Sequence, residues 1–90
     1  MDFKYEKNKI YLNDENDQMI AVVTFPNIAE DTVNIDHTYV DKSLRGQGVA
    51  GKLMEALVTQ LKANNQKAKP TCSYAVKWFT DHPEYSDILA

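Results

Sequence analysis

The chain has 90 residues, with 10 Lys and Arg against 13 Asp and Glu for a net charge of −3, which fits a single small domain. It has no Lys/Arg-rich run and no apolar run near the ~20 residues of a membrane span, which excludes a general nucleic-acid binder and a membrane helix, and with no signal core in Met1-Asp2-Phe3-Lys4-Tyr5-Glu6 secretion is not expected. Its one cysteine, Cys72, allows no internal disulfide and, with two histidines, no persuasive zinc site; the expectation is a reduced cytoplasmic protein without metal, a monomer or weak homodimer.

In chain order, Asn8–Asn13 carries Ile10-Tyr11-Leu12 and Gln18–Phe25 carries Ile20, Val22 and Val23, and the turn formers Asn13 to Asp17 between them predict a β-hairpin. Thr32–Val40 is rich in β-branched residues and alternates, predicting one strand with Val33, Ile35, His37 and Tyr39 on a shared face and His37 therefore among apolar neighbours. From Gly48 the period changes: Ala50, Leu53, Met54, Leu57, Val58 and Leu61 fall at helical spacing, and Asn64-Asn65 supply a stop, predicting a helix of about sixteen residues. Lys67–Cys72 is a short strand candidate in which Pro70, unable to donate to a ladder, marks an edge, a bulge or a splayed strand end. Ser73 is the expected cap of a helix running to about Asp81, with Pro83 opening a short turn through Tyr85. The sum is an α+β chain, one domain over residues 1–90, with a mixed, mostly antiparallel sheet, a central amphipathic helix and a C-terminal helix.

Leu44-Arg45-Gly46-Gln47-Gly48-Val49-Ala50 lies between the most strand-like and the most helix-like segments. Unpaired amides and the positive end of the helix dipole favour an anion there, and glycine lets a backbone come close to a phosphate. By itself the glycine pair equally suits a tight strand-to-helix turn. Arg45-Gly46-Gln47-Gly48-Val49-Ala50 also resembles the Arg/Gln-x-x-Gly-x-Gly/Ala signature of the GNAT superfamily of acyl-CoA-dependent N-acyltransferases. Asp36-His37-Thr38-Tyr39-Val40 and Pro70-Thr71-Cys72-Ser73-Tyr74 are similar to its compact, ninety-residue acetyl-CoA-binding members.

The resemblance implies a truncated GNAT fold with strands splayed at the CoA site. It implies that the amides of Gln47 to Ala50, with Gly46 and Arg45, hold the CoA pyrophosphate. Pantetheine would then lie between Thr38, Tyr39 and Val40 on one wall and Thr71 to Tyr74, including Ser73, on the other, with the thioester directed at His37 and Cys72. Under it His37 is a candidate general base, Cys72 a candidate acyl-carrying nucleophile and Tyr74 a candidate acid for the departing thiolate. Each also has an ordinary structural fate: a half-buried strand histidine, a small apolar side chain at a strand end, a packing aromatic. The implied activity is acetyl transfer from acetyl-CoA to an unidentified amine. A non-catalytic acetyl-CoA-binding module is the alternative, because the stretch between the first two strands is too short for the helices that shape the acceptor side in larger members. A small α+β domain that binds some other phosphate remains a third.

Overall fold

Alternation along the hairpin puts Ile10 and Leu12 of β2 (Lys9–Asn13) opposite Val23 and Ala21 of β3 (Met19–Thr24), on the face that meets the core. The computed structural model describes residues 2–90; Met1, the first residue of the expected domain, lies outside the described residues. The hairpin turn follows its turn formers, with the Asp14 carboxylate accepting from the Asn16 and Gln18 amides at 2.8 and 2.9 Å and Asp17 left-handed at φ 59°. β1 (Lys4–Glu6) pairs with β2, and β6 (His37–Val40) with β3, giving an antiparallel sheet in the order β1-β2-β3-β6. A second sheet joins β4 (Asn27–Ala29) antiparallel, and β7 (Lys67–Pro70) parallel, to β5 (Thr32–Ile35). Neither β1 nor β4 was expected; each is three exposed residues, which leaves no burial pattern in the sequence.

The expected single strand Thr32–Val40 is two strands in two sheets, parted at Asp36. The phase of alternation flips there. Val33 and Ile35 are buried, but beyond Asp36 it is Thr38 and Val40 that turn inward, opposite the core residues Val23 and Ala21, while His37 and Tyr39 are exposed. His37 is therefore not among apolar neighbours. One extra residue at Asp36 acts as a bulge would, re-aiming every side chain that follows.

Both helices cover the same side. α1 (Val49–Ala63) buries Val49, Leu53, Met54, Leu57, Val58 and Leu61 against the sheet and ends at Asn64, with Asn65 left-handed at φ 55°. α2 (Ser73–Asp81) buries Ala75, Trp78 and Phe79, and a 3₁₀ turn at Pro83–Ile88 stacks Tyr85 on Trp78 at 5.2 Å. Cys72, not Ser73, caps α2: its sulfur accepts from the Ala75 amide at 3.4 Å, and Ser73 is the first helical residue. The exposed area, 5461 Å², is close to the ~5,300 Å² that surface scaling gives a chain of this mass.

The flip at Asp36 sets an unequal response to truncation. Ile35→Ala should cost about 2–5 kcal/mol, because it empties a fully buried site. Tyr39→Ala, at the position where unbroken alternation would put a core residue, should cost under about 1 kcal/mol. Urea denaturation of both variants checks this; equal losses would mean that the alternation runs through unbroken.

Candidate functional site

The cleft begins where the strands part. The Ile35 carbonyl accepts from both the Thr71 and Cys72 amides, at 3.0 and 3.2 Å, and is the last link between this strand and the β7 segment. One residue later the Asp36 amide donates to the Thr24 carbonyl at 3.3 Å, and the Thr24 hydroxyl donates to the Asp36 carboxylate at 2.5 Å. From here β6 follows β3 while the chain after β7 turns into α2. β6 is thus an edge strand, with a row of backbone donors and acceptors facing the gap.

Thr38 and Cys72 face each other across this gap, Thr38 Oγ1 lying 4.0 Å from Cys72 Sγ, both half-buried. His37 projects from the opposite, helix-free face of β6, beside Thr24. The two residues expected to meet at the acyl end are therefore on opposite faces of one strand. Tyr74, in the first turn of α2, is partly exposed beside Cys72; partial burial, and secondarily the nearby Cys72 sulfur, push its hydroxyl above the usual phenol range. That hydroxyl stays protonated at neutral pH.

The gap runs into the glycine loop. The Asp41 carboxylate caps a 3₁₀ turn at Lys42–Leu44, accepting from the Ser43 hydroxyl and amide at 2.6 and 3.0 Å and from the Tyr39 hydroxyl at 3.2 Å. The Ser43 hydroxyl, then its amide, hold the Asp41 carboxyl below the usual carboxylate range, with lesser help from Tyr39 and Arg45. Gly46 and Gly48 are left-handed at φ 84° and 72°. A Cβ at either would meet nothing within 4 Å, so backbone conformation and not crowding requires glycine. The bond from Lys52 N–H to Gly48 C=O opens α1, leaving the amides of Val49, Ala50 and Gly51 ahead of it, with no side-chain cap. A cavity of ≈ 230 Å³ at this end is lined by Arg45, Gly46, Gly48 and Ala50 and also by Val40 and Tyr74. The cavity thus joins the glycine loop to the end of β6 and the first turn of α2.

Of the expected residues, Arg45, Gly46, Gly48, Val49, Ala50, Val40 and Tyr74 line this cavity, and Thr38 and Cys72 line the cleft. Gln47 holds the loop through its amide side chain on the Ser43 carbonyl at 3.2 Å, Ser73 is exposed on α2, and Tyr39 shares the outer face with His37. Sequence reasoning missed Thr24, Asp36 and Asp41. An aspartate two residues ahead of a serine, just before an apolar residue, is a capping pattern that would have found Asp41. Across the Cys72–Tyr74 turn lies a larger apolar groove of ≈ 420 Å³, lined in part by Pro70, Thr71, Val76, Phe79 and Leu89. Among the described residues no helix is long and apolar enough to cross a membrane, and no group of three or more His, Cys, Asp or Glu could hold a metal ion.

Residues 9–88 match the family described as GCN5-related N-acetyl-transferase. The chain is 31% identical over 90 residues to Protein NATD1 of Danio rerio, spanning 98% of this chain and 80% of that protein. The NMR solution structure of a GCN5-like protein from Staphylococcus aureus is 36% identical, with a TM-score of 0.82, and the match covers 99% of this chain and 87% of that one. The ribosomal-protein-S18-alanine N-acetyltransferase of Escherichia coli is 17% identical, with a TM-score of 0.66 over 87% of this chain and 53% of that one, a likeness of fold alone.

The loop should carry a pH signature with a definite sign. The ionised Asp41 carboxylate is the acceptor, and its folded pKa is depressed, so the cap is complete at neutral pH and is lost only as pH falls through that lowered value. In an NMR titration the Ser43 amide should shift with a midpoint below the ~3.9 of a free aspartate. A midpoint at or above that would break the assignment of Asp41 as the organiser of this loop.

Proposed function

The chain belongs to the GCN5-related N-acetyltransferase family, and on that premise we propose that it binds acetyl-CoA along the β6 edge and transfers the acetyl group to an amine. One observation carries this reading: the cavity at the α1 N-terminus is lined both by the glycine loop and by Val40 and Tyr74 at the open end of the cleft. A ligand with a pyrophosphate at one end and an amide-bearing arm at the other suits that continuous space. Arg45 and the amides of Gly48 to Ala50 take the pyrophosphate; the Gln47 amide, expected to join them, donates instead to the Leu44 carbonyl at 3.2 Å. The unpaired backbone row of β6, from Thr38 to Val40, takes the arm's amides in the way an added strand is taken, with Thr71 to Ser73 as the opposite wall.

The thioester carbon then lies near Thr38 and Cys72. An amine arriving from the helix-free face attacks that carbon, forming the C–N bond. His37, exposed on that face, accepts the ammonium proton. The C–S bond breaks, and the Tyr74 hydroxyl gives its proton to the departing CoA thiolate. Direct attack fits the geometry better than relay through Cys72, because His37 and Cys72 lie on opposite faces of β6 and Cys72 is engaged as the α2 cap.

A second reading, an acetyl-CoA-binding module without turnover, is favoured by one observation. β2 and β3 are joined by the short turn after Asn13, with no helix between them to wall an acceptor site. Titration with acetyl-CoA, followed by thiol release over a panel of amines, separates the two. The panel should include apolar amines, given the apolar groove lined by Pro70, Thr71 and Val76.

Acetyl-CoA should quench or shift the fluorescence of Trp78, whose indole Nε1 sits 3.9 Å from where a Cβ of Gly51 would stand, and saturation should raise the melting midpoint by several degrees, since ~1 kcal/mol is worth roughly 4–8 °C in a domain this small. Adenosine should do much less; equal shifts from both would leave the cleft without a role. In steady-state assays Tyr74→Phe should lower kcat by about 10²-fold with acetyl-CoA affinity kept. Cys72→Ala should retain amine-dependent CoA release. A hydroxylamine-labile acetyl adduct on intact protein, lost in Cys72→Ala together with turnover, would instead establish a covalent relay.

A further inference from the structure

The direction in which β6 faces its side chains is decided at one residue, and few contacts hold that residue. Asp36 is exposed and belongs to neither sheet. Its backbone tie to β3, amide to Thr24 carbonyl, is long at 3.3 Å. The short contact is between side chains: Thr24 Oγ1 donates to Asp36 Oδ1 at 2.5 Å, a hydrogen bond to an ionised acceptor. Thr24 also stands directly opposite His37 in the β3–β6 ladder. On the other side of the break, Ile35 C=O is held by the two amides of Thr71 and Cys72, and Thr71 Oγ1 donates to Asn34 Oδ1 at 2.7 Å. The strand is therefore clamped on both sides of the flip, to β7 through Ile35 and Asn34 and to β3 through Asp36.

A competing arrangement is written into the sequence. Unbroken alternation would carry Val33 and Ile35 on to His37 and Tyr39 on the inner face, turning Thr38 outward, away from Cys72. Side-chain direction in a strand has period two, so a slip of one residue exchanges the two sets completely. In the structure the Thr24 hydroxyl holds Asp36 at the residue where the phase changes and the cleft opens.

We propose that Thr24 is a positioning residue: through its hydrogen bond to Asp36 it fixes the flip that sets Thr38 against Cys72 at the acyl end and His37 on the opposite face. The functional part of this inference rests on the acetyl-CoA reading above; the structural part does not. Thr24 touches no ligand in that reading and acts only through Asp36.

Thr24→Val keeps the β-branched shape and strand propensity but removes the donor, and Thr24→Ser keeps the donor. In the ligand-free protein, hydrogen exchange at the Asp36 amide, which is bonded to the Thr24 carbonyl, should be at least about tenfold faster in Thr24→Val, with the amides of Leu57 and Leu61 in α1 unchanged as a check that the fold is intact. Thr24→Ser should restore slow exchange. In binding assays Thr24→Val should weaken acetyl-CoA about threefold to tenfold while leaving the adenosine bisphosphate half of CoA, which reaches only the glycine loop, unaffected. Exchange unchanged in Thr24→Val overturns the proposal, as does an equal loss for both ligands. Should the wild-type protein fail to bind acetyl-CoA, the acetyltransferase reading falls while the exchange comparison still decides whether Thr24 sets the flip. If Thr24→Val does not fold, Asp36→Asn, which keeps an acceptor but loses its charge, should show the same acceleration to a smaller degree; unaltered exchange there likewise overturns the proposal.

Discussion

The architecture depends on a strand that changes partners. Up to Ile35 the chain is bonded to β7, and from Asp36 onward it is bonded to β3. Because the two partners diverge, a gap must open between them, and every feature of the candidate site is placed by that divergence. The Ile35 carbonyl gathers the Thr71 and Cys72 amides, which starts α2 at the mouth of the gap. At the far end of β6, Asp41 is tied back to β3 by its amide on the Ile20 carbonyl at 2.8 Å, and its carboxylate then turns the chain through Lys42–Leu44 into the glycine loop. The gap and the α1 N-terminus are consequently neighbours by construction.

Charge does not recruit an anionic ligand to this molecule at long range, since the net charge is −3. In the acetyl-CoA reading, attraction would have to come from groups within a few ångströms of the phosphates: Arg45, the amides at the start of α1, and the dipole they terminate. This explains why the loop is held with such care. Two left-handed glycines, the Gln47 side chain on the Ser43 carbonyl and the Asp41 cap all fix backbone amides, and an amide array is effective only when its donors point to one place.

The parts of the fold that follow a single period could be foreseen. α1 was found from its apolar spacing and its Asn64-Asn65 stop, the hairpin from its turn formers, and the glycine loop from its place between them; the family signature lies on the same residues. The flip at Asp36 could not, because alternation continues across it without interruption and only pairing with two different neighbours reverses the phase. With it went the surroundings of His37. Cys72 was passed over as a cap because serine is the better capping residue; the Ile35 carbonyl, by binding both Thr71 and Cys72 amides, fixes where the helix starts one residue earlier than propensity suggests. Three-residue exposed strands such as β1 and β4 carry too little pattern to detect.

The two sides of β6 are built to different standards, and this bears on what the chain can specify. On the helix side, Thr38, Val40, Cys72 and Tyr74 are set by a continuous core, two helices and a capped loop. On the other side, His37 and Tyr39 project from a sheet face that no helix covers, flanked by Thr24, Asn34 and Thr71. A preorganised wall fixes ligand geometry, whereas an open face leaves an incoming amine free in orientation, at a cost in proximity and alignment. In the proposed reaction, discrimination among amines on that face would have to come from the amine's own bulk engaging neighbouring surface. In the proposed reaction the donor would thus be held by a wall built into the fold, and the acceptor by whatever an amine can bury against a sheet edge.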